Sequence, residues 1–234
     1  MYSFKKISSI DINKPKTWEK KQFLSFDIDW AHDEILNDTY ELLIDSGYKS
    51  TWFVSHKSSY ITQLRSDKNI ELGVHPNFNN LFTLGSKFDA DKILEDIKTI
   101  VPEAVSLRSH SLTQNERLLD KFKKFGFTHI SNCYIPYSSK IILRPFSLWD
   151  DIVIVPHQHQ DNVEIKMQDG LNEKKLICSS YRVFNFHPIH IFLNTESINR
   201  YESTRHLHHT PKELIKYRYK GRGTRTDFLK LLEG

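Results

Sequence analysis

Residues 22–29 read QFLSFDID, a short run of apolar and aromatic side chains that ends in two aspartates. Runs of this length and composition are typical of a buried β-strand. Six more runs of the same kind follow along the chain. We therefore predict strands at residues 23–28, 50–54, 70–74, 104–107, 127–130, 151–155 and 182–186.

Between these runs the apolar residues recur at helical spacing. Helices are predicted at residues 34–45, 89–100 and 113–125, and the last of them ends just before Gly126, a residue type that commonly terminates helices. Strands and helices that alternate in this way are typical of βα units on a parallel sheet. The predicted fold class is therefore α/β, and about seven parallel strands favour a barrel-like sheet over two separate halves.

The composition is that of an ordinary folded chain, since 38% of its 234 residues are hydrophobic and 26% are charged. No linker rich in Pro, Gly or Ser divides it, so we predict one domain over residues 1–234 with a core at about 20–195. The extension 196–234 is basic, with nine Lys or Arg against four Asp or Glu after residue 199. This charge fits an anionic partner and equally fits a solvated helix face.

No apolar run approaches the roughly 20 residues that a membrane-spanning helix needs. The first ten residues, MYSFKKISSI, lack the apolar centre of an export signal, so we expect a cytoplasmic location, and a peripheral membrane contact stays open. Cys133 and Cys178 are interpreted as buried thiols. Because no CxxC pair occurs, a bound metal would take carboxylate, imidazole or amide ligands.

Side chains that carry chemistry follow several predicted strands at the points where those strands end. They are Asp27, Asp29, His75, Arg108, His110 and His187. In a parallel α/β barrel the carboxyl ends of all strands lie on one face, where active sites are built. The sequence therefore predicts that these side chains converge on one pocket.

Asp27 and Asp29 are two residues apart on a strand, so both side chains point the same way. Two close carboxylates ionise together readily when a cation lies beside them, although a pair at a strand end can instead cap the next helix. His75 adds an imidazole on the same face. The third ligand is either His110 or Asn79, which lies four residues after His75. An Asp/His/His set with an open position for water is typical of a catalytic metal site.

Four stretches of the chain resemble the motifs of one known family. They are SFDID at residues 25–29, LGVHPNFN at 72–79, LRSHS at 107–111 and FNFHP at 184–188. In this order they resemble the polysaccharide deacetylase family, carbohydrate esterase family 4, and most closely its WbmS-like branch. The resemblance implies a distorted (β/α) barrel that binds a divalent metal, commonly zinc, and removes acetyl groups from N-acetylated sugars.

The resemblance also implies roles for single residues. Asp27 matches the family's catalytic base and Asp29 matches a metal ligand, although an isoleucine separates them where many members have adjacent aspartates. The second motif, His-x-x-x-His, corresponds to His75 and Asn79, so an amide replaces the second imidazole. Arg108 matches the arginine that holds the base.

The remaining matches lie further along the chain. His110 stands where the family usually has proline, and His187 matches the histidine that acts as the acid. Trp149 and Asp150 form a looser match to the motif whose aspartate orients that acid. With His190, they are the candidates for contacts around the substrate.

Three other groups are interpreted as structural. The histidines within residues 157–159 and 206–209 have no acidic or thiol companion nearby, which favours polar loops over metal sites. Residues 221–225, GRGTR, could cradle a phosphate through backbone amides. They lack the strand-to-helix glycine pattern of a nucleotide fold, which favours a simple loop.

Amide hydrolysis needs an activated water, a stabilised oxyanion and a proton for the departing amine, and the residues above supply candidates for each. We therefore expect a metal-dependent N-deacetylase that acts in the synthesis of a surface polysaccharide such as O-antigen or capsule. The expected partner is an N-acetylated sugar, free, nucleotide-linked or on a lipid-linked oligosaccharide, and not a nucleic acid. Two alternatives stay open: a non-catalytic barrel that binds a glycan or nucleotide sugar in an assembly complex, and a metal-independent hydrolase of another C–N bond.

Overall fold

The computed structural model describes residues 3–82, 89–149, 152–167 and 181–233. Within these residues the strands are β1 Ser3–Lys5, β2 Lys21–Asp27, β3 Ser50–Val54, β4 Ile70–Val74, β5 Ser106–Leu107, β6 His129–Ile130, β7 Phe146–Leu148, β8 Ile152–Ile154, β9 His159–Gln160 and β10 Tyr181–Phe186. The helices are α1 Asp33–Glu41, α2 Tyr60–Ser66, α3 Ala90–Ile100, α4 Glu116–Lys124, α5 Asp161–Met167, α6 Pro188–Leu193, α7 Ile198–Ser203, α8 Pro211–Leu214 and α9 Thr224–Glu233.

The strands form one curled sheet with the order β7-β8-β6-β5-β4-β3-β2-β10-β9. Every pair in this order is parallel except β7 with β8. β1 pairs with the first residues of β2, ahead of the point where β3 begins to pair with it. Within the described residues the end strands β7 and β9 do not pair, so the sheet is a half-barrel.

The predicted fold class is confirmed, and each predicted strand overlaps an observed one. The runs at 50–54 and 70–74 match β3 and β4 residue for residue, whereas the run at 104–107 contributes two paired residues. β1, β7 and β9 were not predicted because two or three residues are too few to display a period. The first predicted helix, 34–45, ends earlier than expected, at Glu41.

Alternation along the strands separates the helix-covered face of the sheet from the interior of the half-barrel. On β2, Leu24 and Phe26 pack in the larger core against the helices, while Phe23 belongs to a second core inside. Ser25 and Asp27 share the face of Phe23, so they also point inward. The same alternation on β10 turns its odd-numbered residues inward. The strand pattern therefore places polar groups inside the sheet near its carboxyl edge.

The chain before β2 closes the amino end of the half-barrel. Ile7 and Trp18 pack in the inner core with Phe23, and burial of such side chains contributes about 1.5–3 kcal/mol each. The backbone N–H of Ile7 donates to Thr51 Oγ1 at 3.0 Å, and that of Ser8 donates to Glu71 Oε2 at 3.0 Å. With the amino end closed, polar residues inside the sheet are reached from the carboxyl edge.

The terminal segments pack on the same helix-covered core. Phe4 of β1 and Phe228 of α9 both belong to that core, and Phe228 contacts the rings of Phe26 and Phe186. These contacts support the single-domain interpretation of residues 1–234, which stays a prediction. None of the helices in the described part of the chain combines the length and apolarity needed to cross a bilayer.

Candidate active site

Arg108, immediately after β5, is fully buried inside the half-barrel. Its Nη1 donates to Asp27 Oδ1 at 3.0 Å, to Asn185 Oδ1 at 2.5 Å and to Ser25 Oγ at 2.9 Å. Its other nitrogens donate to the backbone oxygen and the hydroxyl of Ser131 at 3.1 and 2.8 Å. Burial lowers the pKa of Arg108, but a guanidinium starts so high that it stays charged. These bonds offset the cost of burying that charge, which is several kcal/mol.

Asp27, the last residue of β2, is held on both oxygens. Its Oδ1 accepts from Arg108, and its Oδ2 accepts from Asn185 Nδ2 at 2.7 Å. Burial opposes ionisation of this carboxyl, yet the charge of Arg108, followed by those of His75 and His187, holds its pKa below the usual range. Asp27 is therefore a fixed carboxylate at neutral pH.

Asp29, His75 and His110 bring three ligand atoms together above Asp27. Asp29 Oδ1 lies 3.1 Å from His75 Nε2 and 3.2 Å from His110 Nδ1, and the two nitrogens are 3.3 Å apart. Atoms bound at about 2.1 Å to a tetrahedral zinc lie about 3.4 Å from one another. Burial works against ionisation of Asp29, but its hydrogen bonds to His110 and His75 lower its pKa well below the usual range. The donor set and its spacing therefore fit a divalent metal.

His187 follows β10 and faces both aspartates. Its Nε2 lies 3.6 Å from Asp29 Oδ2 and 3.8 Å from Asp27 Oδ2. On the other side, Asp161 Oδ1 accepts from Nδ1 at 2.6 Å, and Asp161 Oδ2 accepts from the backbone N–H at 2.7 Å. Burial disfavours the charged imidazole, but Asp161, then Asp29 and Asp27, outweigh it and raise the pKa of His187 to about 10. His187 is therefore protonated at neutral pH.

Asp27, Asp29, His75, His110 and His187 line a cavity of about 80 Å³ at the carboxyl edge of the sheet. Ser109, Gln160 and Asn162 complete much of its wall. A water needs roughly 10–15 Å³ of such space, so the cavity has room for water beside these side chains. Two carboxylates and three imidazoles thus surround one space.

The profile of the WbmS-like polysaccharide deacetylases matches residues 24–205 of the chain. The chain belongs to this family. It is similar over 99% of its length to the crystal structure of WbmS from Bordetella bronchiseptica, a candidate polysaccharide deacetylase involved in O-antigen biosynthesis. The two share 37% identity, the TM-score is 0.94, and the match covers 97% of WbmS.

Two other solved structures are similar over part of the chain. A 4-alpha-glucanotransferase from Thermococcus litoralis shares 13% identity over 72% of this chain and 32% of its own, with a TM-score of 0.46. A carbohydrate esterase family 4 pseudoenzyme from Bacillus anthracis shares 14% identity over 90% and 66%, with a TM-score of 0.42. Neither likeness is close enough to carry an argument. No curated protein matches the sequence.

In this WbmS-like chain the structure brings together most of the residues singled out from the sequence. The residues that meet at the cavity or behind it are Asp27, Asp29, His75, Arg108, His110 and His187. Asn79 does not join them. It is exposed, and its side-chain amide donates to Ser111 Oγ at 3.3 Å. The geometry therefore favours His110 over Asn79 as the third ligand.

The structure does not place Trp149 beside the cavity, and the match of Asp150 to the acid-orienting motif stays a prediction. Trp149 follows β7, which runs antiparallel to β8, so it lies at the edge of the sheet where the parallel strands begin. That edge is opposite to the cavity. Asp150 lies outside the described residues. The carboxylate that holds His187 in the WbmS-like chain is Asp161, the first residue of α5.

His190 lies behind the acid and does not line the cavity. Its ring centroid is 5.6 Å from that of His187, and its Nδ1 lies 3.2 Å from Thr195 Oγ1. Burial lowers the pKa of His190 to about 4, so it is neutral. The expected substrate contact is therefore not supported for His190, which packs as a buried polar residue.

The other histidine groups and the loop at 221–225 also have structural roles. His157 and His159 are buried, at 0% and 2% exposure, and do not form the polar loop that was expected. In the 221–225 loop, Arg222 pairs with Asp227 and Arg225 pairs with Asp38. Those guanidinium groups hold the carboxyl-terminal helix in place. Cys133 is half-buried, which raises the pKa of its thiol, and Cys178 lies outside the described residues.

Sequence reasoning missed several residues of the site. Asn185 was detectable, because it lies two residues before His187 on a strand and so shares its face. Asp161 and Gln160 gave no signal, since their approach to the cavity depends on how the chain turns after β9. Asn162 likewise gave no signal in the sequence. Its buried Oδ1 has no hydrogen-bond partner in the described part of the chain.

The backbone is strained on two sides of the cavity. Asp29 and Trp30 have φ of 39° and 56°, and Ser111 and Leu112 have φ of 57° and 53°. Each such non-glycine residue costs roughly 1–2 kcal/mol. Strain of this kind persists where the surrounding structure enforces it, and it clusters at functional sites. Both pairs lie directly beside a residue of the Asp29/His75/His110 group.

Proposed function

We propose that this chain is a metal-dependent N-deacetylase that hydrolyses the acetamido group of a sugar. The observation that carries the proposal is the triangle of Asp29 Oδ1, His75 Nε2 and His110 Nδ1, with sides of 3.1–3.3 Å. Beside it lie a carboxylate fixed by a guanidinium and an imidazolium fixed by a carboxylate. These are the groups that hydrolysis of an amide requires.

Asp29, His75 and His110 would hold the metal, and zinc is the ion we expect from two imidazoles and one carboxylate. When bound, the ion polarises the amide carbonyl and lowers the pKa of water toward about 7. The backbone turn at Asp29 fixes the direction of its carboxylate. Burial of His75 restricts its ring to one orientation.

Asp27 would act as the base that takes the proton of the attacking water. Arg108 and Asn185 hold its two oxygens, so the carboxylate keeps one orientation during the reaction. The pKa of Asp27 is below its usual range because of Arg108 and despite burial, so it is ionised before water arrives. Its effectiveness as a base would come from being held in place.

His187 would give a proton to the nitrogen of the leaving amine. Its Nδ1 is held by Asp161, which leaves Nε2 directed toward the cavity. Asp161, the largest of the influences that raise the pKa of His187, favours the protonated ring. Asp27 and His187 would thus divide the two proton transfers between separate residues.

The substrate would be an N-acetylated sugar used in the assembly of a surface polysaccharide, O-antigen or capsule. Support comes from the 37% identity to WbmS, which is described as involved in O-antigen biosynthesis. The sugar would be carried by a nucleotide or on a lipid-linked oligosaccharide. A cytoplasmic location, where such carriers are loaded, belongs to the same proposal.

The test is to purify the protein, measure its bound metal, and follow acetate release from N-acetylated nucleotide sugars and lipid-linked sugars. We expect about one divalent ion per chain and acetate release that chelation abolishes. Asp27→Asn should keep the metal and lose at least about 100-fold in rate. As a control, Asp120→Asn on the exposed face of α4 should leave both unchanged.

Each alternative has its own outcome in this experiment. Sugar binding without metal and without acetate release would favour the non-catalytic barrel. An activity that survives chelation would favour a metal-independent hydrolase. An Asp27→Asn variant that still releases acetate at the wild-type rate would remove the mechanism.

A further inference from the structure

Trp30 follows the metal-ligand candidate Asp29 and stays exposed beside the cavity. Trp30 is 37% exposed to solvent, although large aromatic residues are usually mostly buried in a folded chain. The indole meets the ring of His110 edge to face, with centroids 5.1 Å apart and planes at 73°. The indole therefore lies against one member of the Asp29/His75/His110 group, and part of its surface is open to solvent.

Trp30 lies in a strained turn of the backbone. Two consecutive residues, Asp29 and Trp30, adopt left-handed φ values, which non-glycine residues avoid. The N–H of Trp30 donates to Ser55 Oγ at 3.1 Å, which anchors the turn to the segment after β3. A glycine at position 30 would make this turn without strain. Trp30 therefore keeps this conformation because the surrounding structure enforces it.

The residues that line the cavity indicate what an exposed ring beside it could do. Asp27, Asp29, His75, His110 and His187, the groups proposed to act on the acetamido group, all belong to that lining. A sugar whose acetamido group reaches them would extend its ring away from them toward solvent. The Trp30 indole contacts His110, one of the lining residues, and so lies beside the cavity.

We propose that Trp30 is the platform for the sugar ring, with the exposed part of the indole packed against a C–H face of the pyranose. This inference rests on the proposed function for the orientation of the acetamido group. The face of an aromatic ring carries partial negative charge and attracts the slightly positive C–H groups of a sugar. Indole also loses little conformational entropy on binding because its side chain has two rotatable bonds. The platform selects pyranoses whose C–H groups gather on one face.

The chain offers a matched control for this residue. Trp149 is 42% exposed and has a φ of 51°, so its exposure and its backbone conformation resemble those of Trp30. It lies at the opposite edge of the sheet, at the start of the parallel strands. The other two tryptophans, Trp18 and Trp52, are buried. Changes at 30 and 149 therefore remove the same group from residues of similar φ and exposure at different distances from the cavity.

The experiment compares the wild type with Trp30→Ala, Trp30→Phe and Trp149→Ala, each loaded with zinc. Binding of N-acetylglucosamine and of N-acetylgalactosamine, free and as their uridine diphosphate esters, is measured by calorimetry, and acetate release is followed in parallel. We expect Trp30→Ala to weaken binding about tenfold and to raise KM more than it lowers kcat. Trp30→Phe should restore most of the affinity, and Trp149→Ala should match the wild type.

A purely structural role for Trp30 would change metal content and thermal stability and leave sugar affinity unaltered, which overturns the proposal. Lack of binding of every probe by the wild type overturns it as well. Acetate release with a KM that Trp30→Ala leaves unchanged removes the platform and retains the proposed function. Binding that depends on Trp30 without acetate release retains the platform and removes the deacetylase.

Discussion

Asp161 accepts two hydrogen bonds from His187, one from Nδ1 at 2.6 Å and one from the backbone N–H at 2.7 Å. The first bond fixes the ring orientation, and the second fixes the chain at the amino end of α6. Together they direct Nε2 toward Asp27 and Asp29. A carboxylate that holds an imidazole in this way sets both the direction and the pKa of that imidazole.

Asp161→Asn is expected to lower kcat about 100-fold, with a smaller effect on KM. Because Asp161 is the largest of the influences that raise the pKa of His187, its removal lowers that pKa. The protonated acid is then lost at a lower pH, so the basic limb of the pH profile moves toward neutrality. Measurement of kcat between about pH 6 and 10 checks both effects. A basic limb in its wild-type position would contradict this role for Asp161.

Alanine variants of His110 and Asn79 distinguish between the two candidates for the third metal ligand. His110→Ala should weaken zinc binding by at least about 100-fold, since it removes one of three protein ligands. Asn79→Ala should bind zinc as the wild type does, because its amide contacts Ser111. Competition with a coloured chelator measures both affinities. The opposite ranking of the two variants would show that the ligand set is wrong.

His159 is expected to make the protein sensitive to acid. Burial lowers its pKa to about 4, against about 6.5 in an unfolded chain. Between these values the unfolded state binds more protons, so stability falls as the pH drops through this window, by about 2 kcal/mol at pH 5. His159→Gln cannot titrate, and should reduce the loss of unfolding free energy between pH 7.5 and 5 by about that amount.

Denaturant unfolding at the two pH values measures the effect on stability. His206→Gln, which changes an exposed histidine, is the matched control and should keep the wild-type difference between the two pH values. Equal acid sensitivity of His159→Gln and the wild type would show that His159 titrates normally in the folded protein.

Glycine and alanine variants of Ser111 test whether the left-handed turns beside the cavity lower the stability of the folded protein. With φ at 57°, glycine at this position avoids a penalty that alanine cannot, so Ser111→Gly should be more stable than Ser111→Ala by about 1 kcal/mol. Both variants remove the hydroxyl that Asn79 contacts, so that loss cancels. At Asp120 within α4 the order should reverse, with alanine more stable by about 1 kcal/mol. Thermal unfolding of the four variants compares the two positions.

The fold could be predicted from the sequence because the central strands are long enough for their apolar and β-branched residues to be recognised as strands. β2, β3, β4 and β10 each have five or more residues, and all of them were found. β9 has two residues, and its place beside β10 depends on tertiary contacts that no local pattern encodes. Because β7 runs antiparallel to β8, Trp149 lies at the edge of the sheet opposite the cavity, which the motif match did not predict.

The site was predictable where side chains follow recognisable strands. Asp27, His75 and His187 stand at the ends of three such strands, and parallel pairing brings those ends to one edge. Asp161 and Trp30 escaped notice for different reasons. Asp161 begins a helix that follows a two-residue strand. The position of Trp30 depends on two residues with left-handed φ, which the sequence pattern does not predict.

The central claim is that a cation bound by Asp29, His75 and His110 serves the reaction. Crystals grown with zinc and measured at the zinc absorption edge test it directly. We predict one anomalous peak about 2.0–2.2 Å from Asp29 Oδ1, His75 Nε2 and His110 Nδ1. An empty map at that position, or a peak at the Asp161, His187 and His190 group instead, would contradict it.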